Sequence, residues 1–302
     1  MDRRDFLVSA SVAAAGFAAS PSRAAGYAKP ANRNIKWGVS TNIWDQTKAP
    51  YAETLDDMKE SGFVGVRLRG FPHILERWGL TQAQLHTELS KRGLQAITIS
   101  YDLRDPDPAL RQQVLGSARE AMKFLKDFGA NHLVVFSPGR KPETATPEAF
   151  KNLCERCNQI GEVAGEIGFT AGLHNHMGEM VQTPEEVDRF MSMTDPKLFG
   201  LSPDTAHLHL GGSDVPQVLE RYKHRIRFLD YKDAKRNAAS FRDAICDLGD
   251  GEIDFPACHR VLKSVSYQGW VCVDLDTARL GPLDDYKRCG DYVVNKLQPI
   301  YS

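Results

Sequence analysis

The chain has 302 residues and a net charge of −1, with 38 basic against 39 acidic side chains. Such a balance excludes the basic footprint of a nucleic-acid binder or of a protein drawn to an anionic membrane. The length suits one α/β barrel with a full core. Of six cysteines, only Cys154 and Cys157 form a C-x-x-C. They lie inside the helical pattern EAFKNLCERCNQIGEVAGEIG, with no second pair and no strand-to-helix turn. They therefore read as small residues on a helix face rather than a zinc or redox site.

In chain order, MDRRDFLVSASVAAAGFAASPSRAA comes first. Arg3 and Arg4 stand between Asp2 and Asp5, Phe6 and Leu7 follow, then an Ala-rich stretch ending in small residues at Ala24 and Ala25. This is the pattern of a twin-arginine export signal over residues 1–25. A membrane anchor is the alternative, but the apolar run is short and rich in Ala, Ser and Gly. Twin-arginine export carries folded proteins, which suits metal uptake in the cytoplasm. It predicts a mature protein in a bacterial periplasm, with no membrane span after cleavage.

From residue 34 to 302, β-branched or apolar runs alternate with helical patterns, and no linker divides them. The predicted strands are IKWGVS, VGVRLR, QAITIS, NHLVVFS, FTAGLH, FGLSPD, IRFLDY and GWVCVD. Between and after them lie YAETLDDMKESG, TQAQLHTELSKRG, PALRQQVLGSAREAMKFLKDFG, TPEEVDRFMSMT, DFPACHRVLKSVSYQG and DDYKRCGDYVVNKLQPI. Gly62, Gly93, Gly129 and Gly168 close several helices. Eight strand–helix units predict a (β/α)8 TIM barrel, with its site where strands end.

Residues two apart on a strand share a face. His174 and His176 end the fifth strand, Asp204 the sixth, Asp230 the seventh and Asp274 the eighth. One Asp after a strand is often only a helix cap. Four potential ligands on consecutive strands are harder to explain so, and three converging carboxylates need a cation or protons between them. One imidazole with three carboxylates suits a divalent ion: Mn²⁺, Mg²⁺, Co²⁺ or Zn²⁺.

The run from GLHNHMGEM through LSPDTAHLHL to RFLDYKD, with the later GDGEIDFPACHRVLKSVSYQGWVCVDLD, resembles the sugar phosphate isomerase/epimerase branch of the xylose-isomerase-like barrels, inosose dehydratases among them. The resemblance covers the mature chain in outline and is densest over 172–276. It implies metal ligands Glu, Asp, His and Glu at the ends of strands five to eight. Here these positions are His174, Asp204, Asp230 and Asp274, so only Asp204 keeps the family residue. The acid/base pair of family epimerases becomes His174 and the shorter Asp274. His207, three after Asp204, falls at a family position that contacts substrate, or else is a solvent-exposed loop histidine.

Other residues admit two readings each. His176 is a base or a hydrogen-bond partner behind the site. Lys232 shares a face with Asp230 and either stabilises an enolate oxygen or neutralises the acids. Arg67 and Arg69 bind a polar or anionic substrate, or form a salt-bridge layer inside the barrel. Trp37, Trp44 and Phe71 wall a sugar pocket or belong to the core.

The resemblance implies a metal-dependent isomerase or epimerase that removes the proton α to the carbonyl of a keto-sugar or cyclitol. Its catalytic candidates are His174, His176, Asp274 and Lys232. Dehydratase or lyase chemistry shares that first half-reaction, and a non-catalytic periplasmic sugar-binding barrel is the further alternative. A DNA-repair endonuclease on the same barrel would need a histidine-rich three-metal cluster and a basic face. The partner expected is a small sugar or cyclitol, without nucleic acid; a homo-oligomer is compatible with these features.

Overall fold

The computed structural model describes residues 27–104 and 107–302. The export signal expected at 1–25 lies outside them. Among the described residues, eight parallel strands run Lys36–Ser40, Gly65–Leu68, Gln95–Asp102, His132–Phe136, Thr170–His174, Gly200–Leu201, Leu229–Tyr231 and Trp270–Val273. Their order in the sheet is six-five-four-three-two-one-eight-seven. Strands six and seven meet through parallel bridges at Leu201–Ile226 and Asp204–Asp230, which bring the two ends of the sheet together. The result is the expected TIM barrel.

Helices Tyr51–Ser61, Gln82–Arg92, Arg111–Lys126, Pro147–Glu166, Pro184–Met193, Phe255–Ser264 and Pro282–Tyr292 follow the sequence patterns. Each buries an apolar stripe against the outward face of the strands. Thr81 and Thr183 close capping boxes with Gln84 and Glu186. Gly62 and Gly93 are left-handed C-caps. Gly129 and Gly168 are also left-handed but lie beyond the cap residues Asp127 and Ile167. Cys154 and Cys157 are buried free thiols on the Pro147–Glu166 helix. Trp37 and Trp44 are core residues, the first stacked on His259 and the second on Tyr286, and Phe71 packs on Phe124. No helix among the described residues is long and apolar enough to cross a membrane.

The alternation of strand side chains divides the barrel interior into layers. In its lower part, Ile97, Val134, Phe228 and Cys272 form an apolar cluster, flanked by Phe136 and Trp270. Gly65 leaves room for it, since a Cβ there would come within 2.6 Å of the Trp270 ring. Two residues further along strands two, seven and eight stand Arg67, Asp230 and Asp274. The same alternation that fills the bottom with hydrocarbon thus fills the top with charge.

Candidate active site

Strand five ends in His174, whose ring lies against Phe136 of strand four, centroid to centroid 4.1 Å. Strand six is short because Pro203 follows Leu201 and Ser202, and the chain turns at Asp204 into the helix Thr205–Leu210. Asp204 caps that helix: its Oδ1 accepts the His207 backbone N–H at 3.1 Å. Its Oδ2 is left facing the barrel axis, 3.1 Å from Lys232 Nζ and 3.8 Å from His174 Nε2. Asp204 is therefore both a helix cap and a candidate site residue.

His174, Asp204, Asp230 and Asp274 do converge, and all four are buried. The cations between them belong to the chain itself. Arg67 donates to Asp230 Oδ2 at 3.0 Å and reaches Asp274 Oδ2 at 2.9 Å. Lys232 Nζ lies 2.7 Å from Asp274 Oδ2 and 2.7 Å from Asp276 Oδ2. Arg67 is thus a buried counter-ion to both carboxylates, the salt-bridge arrangement that was the other reading of this residue, and its Nε has no hydrogen-bond partner among the described residues. Lys232 likewise lies among Asp204, Asp274 and Asp276, as the neutralising reading of this residue expected. Arg69 does not follow Arg67 inward. It stands exposed at the rim, where it donates to Asn42 Oδ1, and remains available to a ligand.

Burial sets the protonation of the group. It pushes the Asp204 carboxyl up to about 6 and Asp230 up to about 7, against the pull of Lys232 and Arg67 respectively. Burial acts on Asp274 too, but Lys232 and Arg67 together outweigh it and hold that carboxyl below its usual range. For Lys232, burial is outweighed by Asp204, Asp274 and Asp276, so the ammonium is retained. Burial lowers His174 and His176 to about 3 and His207 well below the ordinary imidazole range. The imidazoles are therefore neutral near neutral pH.

His207 is buried rather than solvent-exposed; its ring stacks on Phe241 at 5.2 Å and lies tilted against His176 at 3.7 Å. His176 stands beyond the strand in the following turn, one-third exposed on its side chain. Of the catalytic candidates it is the one that reaches solvent. His174, Asp204 and His207 each have a donor atom within 4.8 Å of the others, a spacing able to hold a metal ion. Asp230 and Asp274, expected in that set, are the two carboxylates taken up by Arg67.

Sequence reasoning missed Asp276, Asn42 and Glu179. Asp276 accepts from both Lys232 and Asn42, and the spacing VCVDLD puts it two after Asp274, a signal that was readable. Asn42 joins Asp276 to Arg69 and gave no sequence signal. Glu179 accepts from Ser137 N and Oγ at 2.9 and 3.0 Å, and burial raises its carboxyl to about 8.

This barrel with a charged upper layer has known counterparts. The family profile described as xylose isomerase-like TIM barrel matches residues 55–288, and the chain belongs to that family. It is 30% identical over 279 residues to an inosose dehydratase of Bacillus licheniformis, covering 80% of this chain and 88% of that one. An inosose dehydratase of Bacillus velezensis is 28% identical over 291 residues, 83% of this chain and 93% of the relative. Among solved structures, the IOLI protein with a bound zinc atom superposes with a TM-score of 0.73 at 16% identity, over 88% of this chain and 99% of that one, which is a likeness of fold.

Proposed function

We propose that the protein is an isomerase or epimerase of this family, removing the proton α to the carbonyl of a keto-sugar or cyclitol. The observation that carries the reading is the desolvated cluster of His174, Asp204, His207, Lys232 and their carboxylate partners at the C-terminal mouth of the barrel. Elimination of water is the second reading, favoured by the inosose dehydratase relatives and by the histidine that replaces the strand-five carboxylate.

The donor chemistry fits a divalent ion. Asp204, Asp230, Asp274 and Asp276 carry more negative charge than Arg67 and Lys232 balance. His174 Nδ1 lies 3.0 Å from Asp230 Oδ2 without hydrogen-bond geometry, and its Nε2 is on the side of Asp204 Oδ2 at 3.8 Å. His174 and Asp204 would hold the ion, which when bound supplies Lewis acidity to a carbonyl and its neighbouring hydroxyl. Arg67 and Lys232 hold Asp274 ionised and keep the remaining carboxylates in place, Arg69 orients the substrate at the rim, and neutral His176 takes the α-proton.

The test is exchange in D₂O. Purified protein with Mn²⁺ and an inosose, or a panel of keto-sugars, should place deuterium on the carbon beside the carbonyl. Product structure then separates isomerisation from loss of water. Sugar binding with neither exchange nor turnover would instead establish a non-catalytic binding barrel. We also propose that residues 1–25 direct export to the periplasm; replacing Arg3 and Arg4 with Lys should leave the protein in the cytoplasm, and unchanged export would sink that reading.

A further inference from the structure

A carbonyl oxygen can only accept a hydrogen bond and a backbone N–H can only donate one. Two contacts of Met177 therefore settle where the protons sit on the rings beside it. His176 Nδ1 is 2.7 Å from Met177 O, so Nδ1 carries the proton and Nε2 keeps its lone pair. The Met177 N–H donates to His207 Nδ1 at 3.2 Å, so on this neutral ring the lone pair is at Nδ1 and the proton is at Nε2. The two rings lie 3.7 Å apart between centroids and are tilted by 38°. We propose that the backbone of Met177 locks His176 and His207 in opposite tautomers, giving the site a proton acceptor at His176 Nε2 beside a hydrogen-bond donor at His207 Nε2.

Unused hydrogen-bonding capacity points the same way. His207 Nε2 is buried and has no hydrogen-bond partner among the described residues, and Asp204 Oδ2 is 4.0 Å away. A donor left unpaired in the interior is destabilising unless a ligand meets it. In this tautomer Nε2 is not a metal ligand, so His207 addresses a ligand oxygen while His174 and Asp204 address the ion.

The chemical use of the pair rests on the proton-abstraction reading. The α C–H bond breaks, its proton goes to His176 Nε2, and the electron pair moves onto the carbonyl oxygen. His207 Nε2–H stabilises that oxygen and keeps its own proton. Return of that proton from His176 to the former carbonyl carbon, while the α-hydroxyl proton passes to the former carbonyl oxygen, completes isomerisation; its transfer to a departing β-hydroxyl completes elimination with release of water.

The lock has a local cause. The Glu179 N–H donates to His176 O at 3.1 Å, closing a turn whose third residue, Gly178, has φ 83°. That left-handed residue is what a type II turn requires, and in it the central peptide, which carries Met177 O, is turned over relative to type I. A Cβ at Gly178 would meet nothing within 4 Å, so Gly178→Ala acts through the backbone alone.

Long-range ¹H–¹⁵N spectra of the ¹⁵N-labelled chain read the tautomers directly, with His176→Gln and His207→Gln assigning the signals. Lone-pair nitrogens are expected at His176 Nε2 and His207 Nδ1, and Zn²⁺ should leave His207 Nε2 protonated. In folded Gly178→Ala, His176 should divide between its two tautomers. Proton exchange should fall about tenfold in that variant, and on the order of a hundredfold in His176→Gln. The same tautomer on both rings, zinc bound at His207 Nε2, or an undisturbed His176 in folded Gly178→Ala would each overturn the proposal. Opposite tautomers in a protein that exchanges no substrate proton would support the lock and sink the proposed reaction instead.

Discussion

His132 and His174 are both buried histidines whose side chains lie in the barrel interior, and burial lowers both to about 3. They stand near opposite ends of adjacent strands. His132, near the bottom, has Thr170 Oγ1 at 2.8 Å from Nδ1 and Ser202 Oγ at 2.8 Å from Nε2, and stacks on Phe228. Its hydrogen-bonding capacity is used by neutral hydroxyls. His174 faces Asp204, Asp230 and, beyond them, two cations, and its Nδ1 lies 3.0 Å from Asp230 Oδ2 without hydrogen-bond geometry. Depressed basicity alone does not distinguish a structural histidine from a functional one. What the neighbours leave unsatisfied does.

The largest effect that sharpens this contrast should come from Lys232→Met. It leaves Asp204, Asp274 and Asp276 facing each other with one fewer cation, and removing one partner of a buried pair costs about 3–5 kcal/mol. Denaturant unfolding should show that loss, and substrate exchange should disappear. Unchanged stability would mean the carboxylates relax or take up protons more easily than their burial implies.

His132→Phe comes next and should leave catalysis within about twofold. It removes the partner of the Thr170 and Ser202 hydroxyls, a loss of roughly 1–3 kcal/mol. It should also flatten part of the acid limb of stability. Because the folded ring binds its proton near pH 3 rather than 6.5, the unfolded chain holds more protons in that window. Stability from this group is present above about 6.5 and declines as pH falls, by up to roughly 1.4 kcal/mol per pH unit. A variant with the wild-type acid slope would contradict this.

Glu179→Gln should have the smallest effect, about 1 kcal/mol or less near pH 6, since the amide oxygen can still accept from Ser137. The sign of its pH dependence is opposite to that of His132. A carboxyl raised from 4.5 to about 8 binds more protons folded than unfolded. Its contribution is present below about 4.5 and is lost as pH rises through 8. The variant should therefore resist alkaline unfolding better than wild type; an unchanged alkaline midpoint would place the carboxylate in water.

The parts of the site that depend on local periodicity were legible in the sequence. Alternation placed Lys232 on the face of Asp230, and the order of strand ends brought His174, Asp204, Asp230 and Asp274 to one level. Pairing across the barrel was not legible. Nothing local tells Arg67 whether it will meet a substrate or a carboxylate 163 residues later. Strands six and seven are shorter than their apolar runs, at Gly200–Leu201 and Leu229–Tyr231, and isolated bridges join them. The helices Asn42–Thr47, His73–Trp78 and Thr205–Leu210 are too short to show a period, so the burial of His207 in the last of them could not be foreseen.

The contact of Arg67 with both Asp230 and Asp274 also bears on how the chain acquires its structure. Strand two is made early, but its guanidinium has no counter-ion until strands seven and eight exist. Until then the upper interior keeps its water, and dehydration of that layer must follow closure of loops of 163 residues and more, which slows its assembly. The ionic layer is therefore a late event in folding, and a chain interrupted before Asp274 would retain a hydrated barrel top.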